Sequence, residues 1–130
     1  MTTSHDDPRP RVMIVDDNRD AAEMLGEILD SAGFGTIALL DAQSVLDNLA
    51  SFQPDFILID IGLPVVDGYE LARRVQALDE FKDVCLIAIT GYGHESARQR
   101  SFAAGFSEHL VKPVDIKQLE AILRRPRPGS

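Results

Sequence analysis

The sequence predicts an α/β domain in which a five-stranded parallel sheet carries helices on both faces. Three observations predict it. Strand-length runs such as Val12-Met13-Ile14-Val15, Phe56-Ile57-Leu58-Ile59 and Val84-Cys85-Leu86-Ile87-Ala88-Ile89 are apolar throughout, without the alternation of a half-solvated sheet, so both of their faces are covered. Segments with helical periodicity lie between such runs, giving a regular strand–helix alternation. Four strands run into polar residues at their carboxyl ends, the edge where doubly wound sheets place their ligand sites. With 130 residues, 45% of them hydrophobic, the chain builds one core and not two.

Residues 1–10 are polar and carry Pro8 and Pro10, and read as a disordered tail. The domain proper, 11–124, opens with the strand Val12 to Val15, which ends at the capping cluster Asp16-Asp17-Asn18. The first helix sets Ala21, Leu25, Ile28, Leu29 and Ala32 on one face, and Gly33 is placed to stop it. A short strand, Thr36 to Leu40, follows Gly35 and belongs at a sheet edge. Asp41 caps a second helix with Val45, Leu46, Leu49 and Phe52 inward, broken at Pro54-Asp55. The strand Phe56 to Ile59 then delivers Asp60. Asp67 and Glu70 have the spacing of a capping box, and the third helix buries Leu71, Val75 and Leu78. Val84 to Ile89 delivers Thr90, and Gly91-Tyr92-Gly93 forms a flexible turn. The fourth helix, from about Glu95 to Ala104, is polar with a thin apolar face and ends at Gly105. His109-Leu110-Val111 is the last strand and leads into Lys112-Pro113. Asp115 caps a fifth helix with Ile116, Leu119, Ile122 and Leu123 inward, and 125–130, with two prolines and a glycine, reads as a flexible tail.

The formal charge is −8, and between Val12 and Leu123 acidic residues outnumber basic ones 19 to 8. So acidic a body repels nucleic acid and anionic membrane and attracts cations. The arginines near the two ends read as solubilising tails. No apolar run approaches the ~20 residues of a membrane span, and the polar start is no signal peptide, so a cytoplasmic protein is expected. Cys85, the single cysteine, lies in an apolar run and reads as a buried structural thiol.

The first strand ends at Asp16 and Asp17, the third at Asp60, the fourth at Thr90 and the fifth at Lys112. In a parallel sheet all of these lie on one edge. Singly, each has a structural explanation: a helix cap, a turn, a satisfied backbone group, a solvated lysine. Together, three carboxylates on one edge repel one another and raise their own proton affinity. A divalent cation relieves that crowding. An all-oxygen donor set without His or Cys suits Mg²⁺.

The pieces Val15-Asp16-Asp17-Asn18, Asp60-Ile61-Gly62-Leu63-Pro64-Val65-Val66-Asp67-Gly68, Ile89-Thr90-Gly91 and Val111-Lys112-Pro113 occur in order. Steps of 43, 30 and 22 residues lead from Asp17 to Asp60, Thr90 and Lys112. In this the chain resembles the response-regulator receiver domains, the CheY-like phosphoacceptors of two-component signalling, from about Arg11 to Leu123. The resemblance implies a flavodoxin-like sheet of strand order 2-1-3-4-5 with five helices. It implies that Asp60 is the nucleophile that becomes an acyl phosphate. Asp17, Asp60 and the backbone carbonyl of Gly62 would bind Mg²⁺ directly, and Asp16 through a metal-bound water. Lys112 would place a second positive charge on the phosphoryl group, Thr90 would donate a hydrogen bond to it, and Gly91 would leave room for it. The Lys112–Pro113 peptide would be cis.

The same resemblance makes the chain a non-enzyme that catalyses only its own phosphorylation and dephosphorylation. A histidine kinase or a His-phosphotransfer protein would be its donor, and a downstream protein would read its surface. It would be free-standing or a segment of a hybrid kinase, a monomer or a phosphorylation-linked dimer. The expected switch comprises Thr90, Gly91, Tyr92, His109 and Pro113, with Thr90 moving toward the phosphoryl group and the fourth helix following. At 109 the family often has Tyr or Phe. A histidine there is expected to prefer solvent, which breaks the usual coupling of that ring to the Thr. Tyr92, two past Thr90, would lean over the site.

Three other readings share the architecture. A Mg²⁺-dependent phosphohydrolase of the haloacid-dehalogenase type would want a second Asp two residues after the nucleophile, where this chain has Gly62. A phosphorylation-independent interaction module would not need the complete acidic site. A flavin binder would want a Ser, Thr and Gly loop after the first strand, where Asp16, Asp17 and Asp20 stand.

Overall fold

In a computed structural model of the chain, residues 9–63, 66–91 and 95–125 are described. Among them are β1 (Arg11–Val15), α1 (Arg19–Ser31), β2 (Gly35–Leu39), α2 (Ala42–Phe52), β3 (Phe56–Asp60), α3 (Gly68–Gln76), β4 (Cys85–Thr90), α4 (Glu95–Ala103), β5 (Glu108–Val111) and α5 (Ile116–Arg124). A single 3₁₀ turn, Asp79–Phe81, precedes β4; the sequence did not announce it. The strands form one sheet of order β2-β1-β3-β4-β5, and every pairing is parallel. This is the flavodoxin-like arrangement, with β2 at an edge as expected. Among the described residues no helix is long and apolar enough to cross a membrane.

The continuous apolar runs are explained by two cores, one on each side of the sheet. Met13, Val15, Ile57, Ile59, Leu86 and Ala88 face the side covered by α2 and α3. Val12, Ile14, Phe56, Leu58, Ile87 and Ile89 face the side covered by α1 and α5. Successive residues thus serve opposite cores, and β3 in the centre is buried along its whole length.

Helix ends follow from local chemistry. Asp41 accepts from the Ser44 amide at 2.7 Å, Asp67 from Glu70 at 2.9 Å, and Asp115 from Lys117 at 3.0 Å and Gln118 at 3.2 Å. At α1 the cap is Asn18, which accepts from the Ala21 amide at 3.1 Å, so neither Asp16 nor Asp17 is spent on capping. Gly33 and Gly105, at φ 101° and 105°, end α1 and α4 as the sequence indicates. The end of α2 is less legible: Gln53 takes the left-handed conformation at φ 53° just before Pro54.

Several inward assignments change. Ile28 of α1 is 37% exposed, and Leu78 is 43% exposed because α3 ends at Gln76 and Leu78 follows it in extended conformation. Leu46 and Phe52 are half-buried, and Cys85 is half-buried at the start of β4 and not enclosed. The arginines flanking the domain are structural as well as solubilising. The Arg11 guanidinium stacks 4.1 Å from the Phe52 ring and donates to the Phe52 carbonyl. Arg124 lies over Phe34 at 4.8 Å and donates to the Ala32 carbonyl at 2.6 Å, and Arg125 pairs with Glu108 at 2.6 Å.

Candidate phosphoacceptor site

The parallel sheet brings the ends of β1, β3, β4 and β5 to one edge, and the polar residues meet there. β1 hands over to Asp16, whose amide still donates to the Leu39 carbonyl at 3.1 Å, so its backbone is fixed as an extension of the ladder. The Asp16 carboxylate accepts from the Asn18 amide at 2.9 Å and is half-buried, while Asp17 is exposed. Asp60 is the last residue of β3 and is only 7% exposed. Its Oδ1 accepts from the Gly62 amide at 3.0 Å, and its Oδ2 accepts from Lys112 Nζ at 3.3 Å. The same ammonium lies 3.6 Å from Asp16 Oδ2. One carboxylate oxygen from each of Asp16, Asp17 and Asp60 falls within 4.8 Å of the others.

Lys112 is aimed by backbone as well as by charge. Its amide donates to the Thr90 carbonyl at 2.8 Å, and the Lys112–Pro113 peptide is cis, as the resemblance implied. Thr90 ends β4 and is buried. A Cβ placed on Gly91 would meet open space. Tyr92, with Pro64 and Val65 of the longest motif, lies outside the described residues. A cleft of about 490 Å³ runs from Asp16, Asp60 and Lys112 onto apolar residues of α1 and the start of α5, including Met24, which is 62% exposed.

Gly68 positions Asp60 from behind. A Cβ there would stand 2.8 Å from Ile61 Cα and 3.0 Å from the Asp60 carbonyl oxygen, both backbone atoms. The Gly68 amide donates to the Ile61 carbonyl at 3.2 Å. Only a residue without a side chain lets α3 begin this close to the β3 end that carries Asp60. Gly68→Ala is expected to cost about 1–3 kcal/mol, as overpacking does, and to displace Asp60. Thermal unfolding and phosphoryl uptake, measured together, check this.

The charges are unequal in their comfort. Burial raises the Asp16 carboxyl above its ordinary 3.8; the Asn18 amide opposes this, and the Asp60 charge adds to it. Burial works to lower the Lys112 ammonium, but Asp60 and Asp16 together outweigh it and hold the group above its ordinary 10.5. The raised Asp16 value means that the folded chain binds that proton more tightly than the unfolded chain. Stability therefore falls as pH rises from 3.8 through the folded value. Asp16→Asn keeps an oxygen for the Asn18 amide and removes the charge. Without metal it should make the domain more stable than the parent at pH 7, because the buried charge that disfavours the folded state is gone. The advantage should vanish below pH 3.8, where both states of the parent are protonated. Thermal unfolding across pH in chelator checks it.

His109 departs from expectation. The ring is only 4% exposed and its Nδ1 lies 2.8 Å from Ser101 Oγ, itself fully buried. A polar ring prefers water only when the interior offers it no partner; here α4 supplies one. The sequence carried a faint signal for this, a serine at an inward position of a helix otherwise short of apolar residues.

The family model described as the response regulator receiver domain matches residues 12–124. The chain is 29% identical over 118 residues to sporulation initiation phosphotransferase F of Bacillus subtilis, covering 91% of this chain and 94% of that protein. It superposes on the chemotaxis protein CheY4 of Vibrio cholerae with a TM-score of 0.84 and 26% identity, covering 90% of this chain and 98% of that one. It also superposes on the receiver domain of sensor histidine kinase PA1611 of Pseudomonas aeruginosa, solved with a magnesium ion coordinated in its active site cleft. There the TM-score is 0.81 and the identity 28%, over 90% of this chain and 96% of that one. With the strand order, the acidic cluster and the cis peptide after Lys112 in place, the match over nearly the whole described domain establishes that this chain belongs to the response regulator receiver domain family.

Proposed function

We propose that this receiver accepts a phosphoryl group on Asp60, from a histidine kinase or a His-phosphotransfer protein, in a Mg²⁺-dependent reaction, and that the acyl phosphate alters a partner-binding surface. One observation carries the reading: a buried carboxylate, Asp60, lies 3.3 Å from the Lys112 ammonium within a cluster of three carboxylates. An isolated ion pair would not need the two further acids. The signalling unit on this reading is 11–124.

The cluster fits a small hard cation, since every side-chain donor in it is a carboxylate oxygen. Asp17 and Asp60 with the Gly62 carbonyl would hold it directly, and Asp16 through water. When bound, the ion supplies positive charge against the phosphoryl oxygens. The chain's own groups do the rest. An Asp60 carboxylate oxygen forms the new bond to phosphorus while the bond from phosphorus to the donor's imidazole nitrogen breaks. The electron pair of that bond leaves with the donor's imidazole, whose other ring nitrogen carries a proton, so the ring departs neutral. The Gly62 amide keeps the Asp60 carboxylate oriented. Lys112 moves its ammonium from the carboxylates onto a phosphoryl oxygen, and the Thr90 hydroxyl donates to another. Gly62 offers no side chain to activate water two residues past the nucleophile, so the product is a held acyl phosphate and the chain is a phosphoacceptor, not a phosphohydrolase.

The test is phosphopeptide mapping after incubation with acetyl phosphate and Mg²⁺. A single phosphoryl adduct on the peptide bearing Asp60 is expected. No adduct in the presence of Mg²⁺ would support the phosphorylation-independent module instead.

A further inference from the structure

The helix α4 is attached to the domain in an unusual way. Among its described side chains, 96–103, the one that is buried is a serine, Ser101, and its one large apolar residue, Phe102, points outward at 46% exposure. The other four helices each bury at least two apolar side chains. The described side-chain contacts that α4 makes to the body are polar or cationic. Ser101 Oγ meets His109 Nδ1 at 2.8 Å, Arg98 reaches the His109 carbonyl at 3.5 Å, and the Arg100 guanidinium lies 4.2 Å from the Tyr69 ring of α3. Just past the helix, Gln76 of α3 donates to the Gly105 carbonyl at 3.2 Å.

We propose that Ser101 and His109 form a polar latch that seats α4 on β5 and makes this helix a separately releasable element of the domain. The ring pairs in register with Ala88, whose small side chain leaves space above β4 for it, on the same side as Thr90. The Ser101 hydroxyl and the His109 ring are both buried, so opening the latch breaks a hydrogen bond between two buried polar groups. Hydrophobic burial yields gradually as surfaces separate. A hydrogen bond is directional and is lost within about 1 Å of displacement. A helix held mainly by such contacts opens as a unit, at lower free energy than the strands beneath it. His109 is thereby a positioning residue that stays inward. The change that a partner would read is the seating of α4, which carries Arg98 over the exposed ring of Phe102.

Hydrogen exchange and histidine NMR on the whole chain, without phosphoryl donor or metal, test the latch independently of phosphoryl acceptance. In the wild type, the His109 Nδ1 resonance should carry the signature of a hydrogen-bonded ring nitrogen. In Ser101→Ala that signature should disappear and the amides of α4 should exchange about tenfold faster or more, while those of β1 and β3 keep their rates. A wild-type ring without a hydrogen-bonded Nδ1 overturns the proposal. So does a Ser101→Ala variant whose α4 amides keep wild-type rates, or one in which β1 and β3 accelerate as much as α4.

Discussion

Asp60→Asn is expected to take up no phosphoryl group from acetyl phosphate while folding as the parent does. The substitution is nearly isosteric. The side-chain oxygen can still accept from the Gly62 amide now held at 3.0 Å, and Lys112 keeps Asp16 at 3.6 Å as a counter-charge. What is lost is the anionic oxygen proposed to attack phosphorus; a carboxamide is too weak a nucleophile to replace it. Intact-mass spectrometry reads the loss, which should be complete within detection, and circular dichroism reads the fold. An adduct that persists in the variant would move the chemistry to Asp16 or Asp17.

Stripping divalent cations should slow phosphoryl uptake by the wild type at least 100-fold, the scale on which a single electrostatic contact to a developing charge is missed. The cluster sets one ammonium, Lys112, against the carboxylates of Asp16, Asp17 and Asp60. Its net charge is therefore negative, and an incoming phosphoryl dianion is repelled by the groups meant to receive it. One divalent cation neutralises that excess. The Asp16 carboxyl is raised chiefly by burial, and the Asp60 charge adds to it. Initial rates in excess chelator, and again after Mg²⁺ is restored, measure the effect. Equal rates in both would remove the metal from the account.

Much of this was legible in the sequence because the relevant constraints are local. Strands buried on both faces show as unbroken apolar runs, and β1, β3 and β4 appear where those runs stand. The site was legible because each chemical residue sits at the end of such a run, and a parallel sheet turns four strand ends into one place. Asp16, Asp17, Asp60 and Lys112 do meet there. What was not legible depends on partners distant in the chain or on the extent of a surface. Periodicity puts Leu78 on the third helix, but the helix ends at Gln76, before that residue is reached. His109 was expected in solvent because its partner, Ser101, is brought to it only by the packing of α4 against β5. The choice of Asn18 over its two acidic neighbours as the α1 cap turned on backbone conformation that the capping cluster alone does not reveal.

On the proposed reading, the acids at the ends of β1 and β3 gather one hard cation beside Asp60. Titration of the apo chain with Mg²⁺, followed by amide NMR, tests it most directly. Saturable shifts concentrated at Asp16, Asp17, Asp60, Gly62 and Lys112 are expected, and they should disappear in Asp17→Asn. Shifts that fail to saturate, or that centre on any other group of residues, would contradict it.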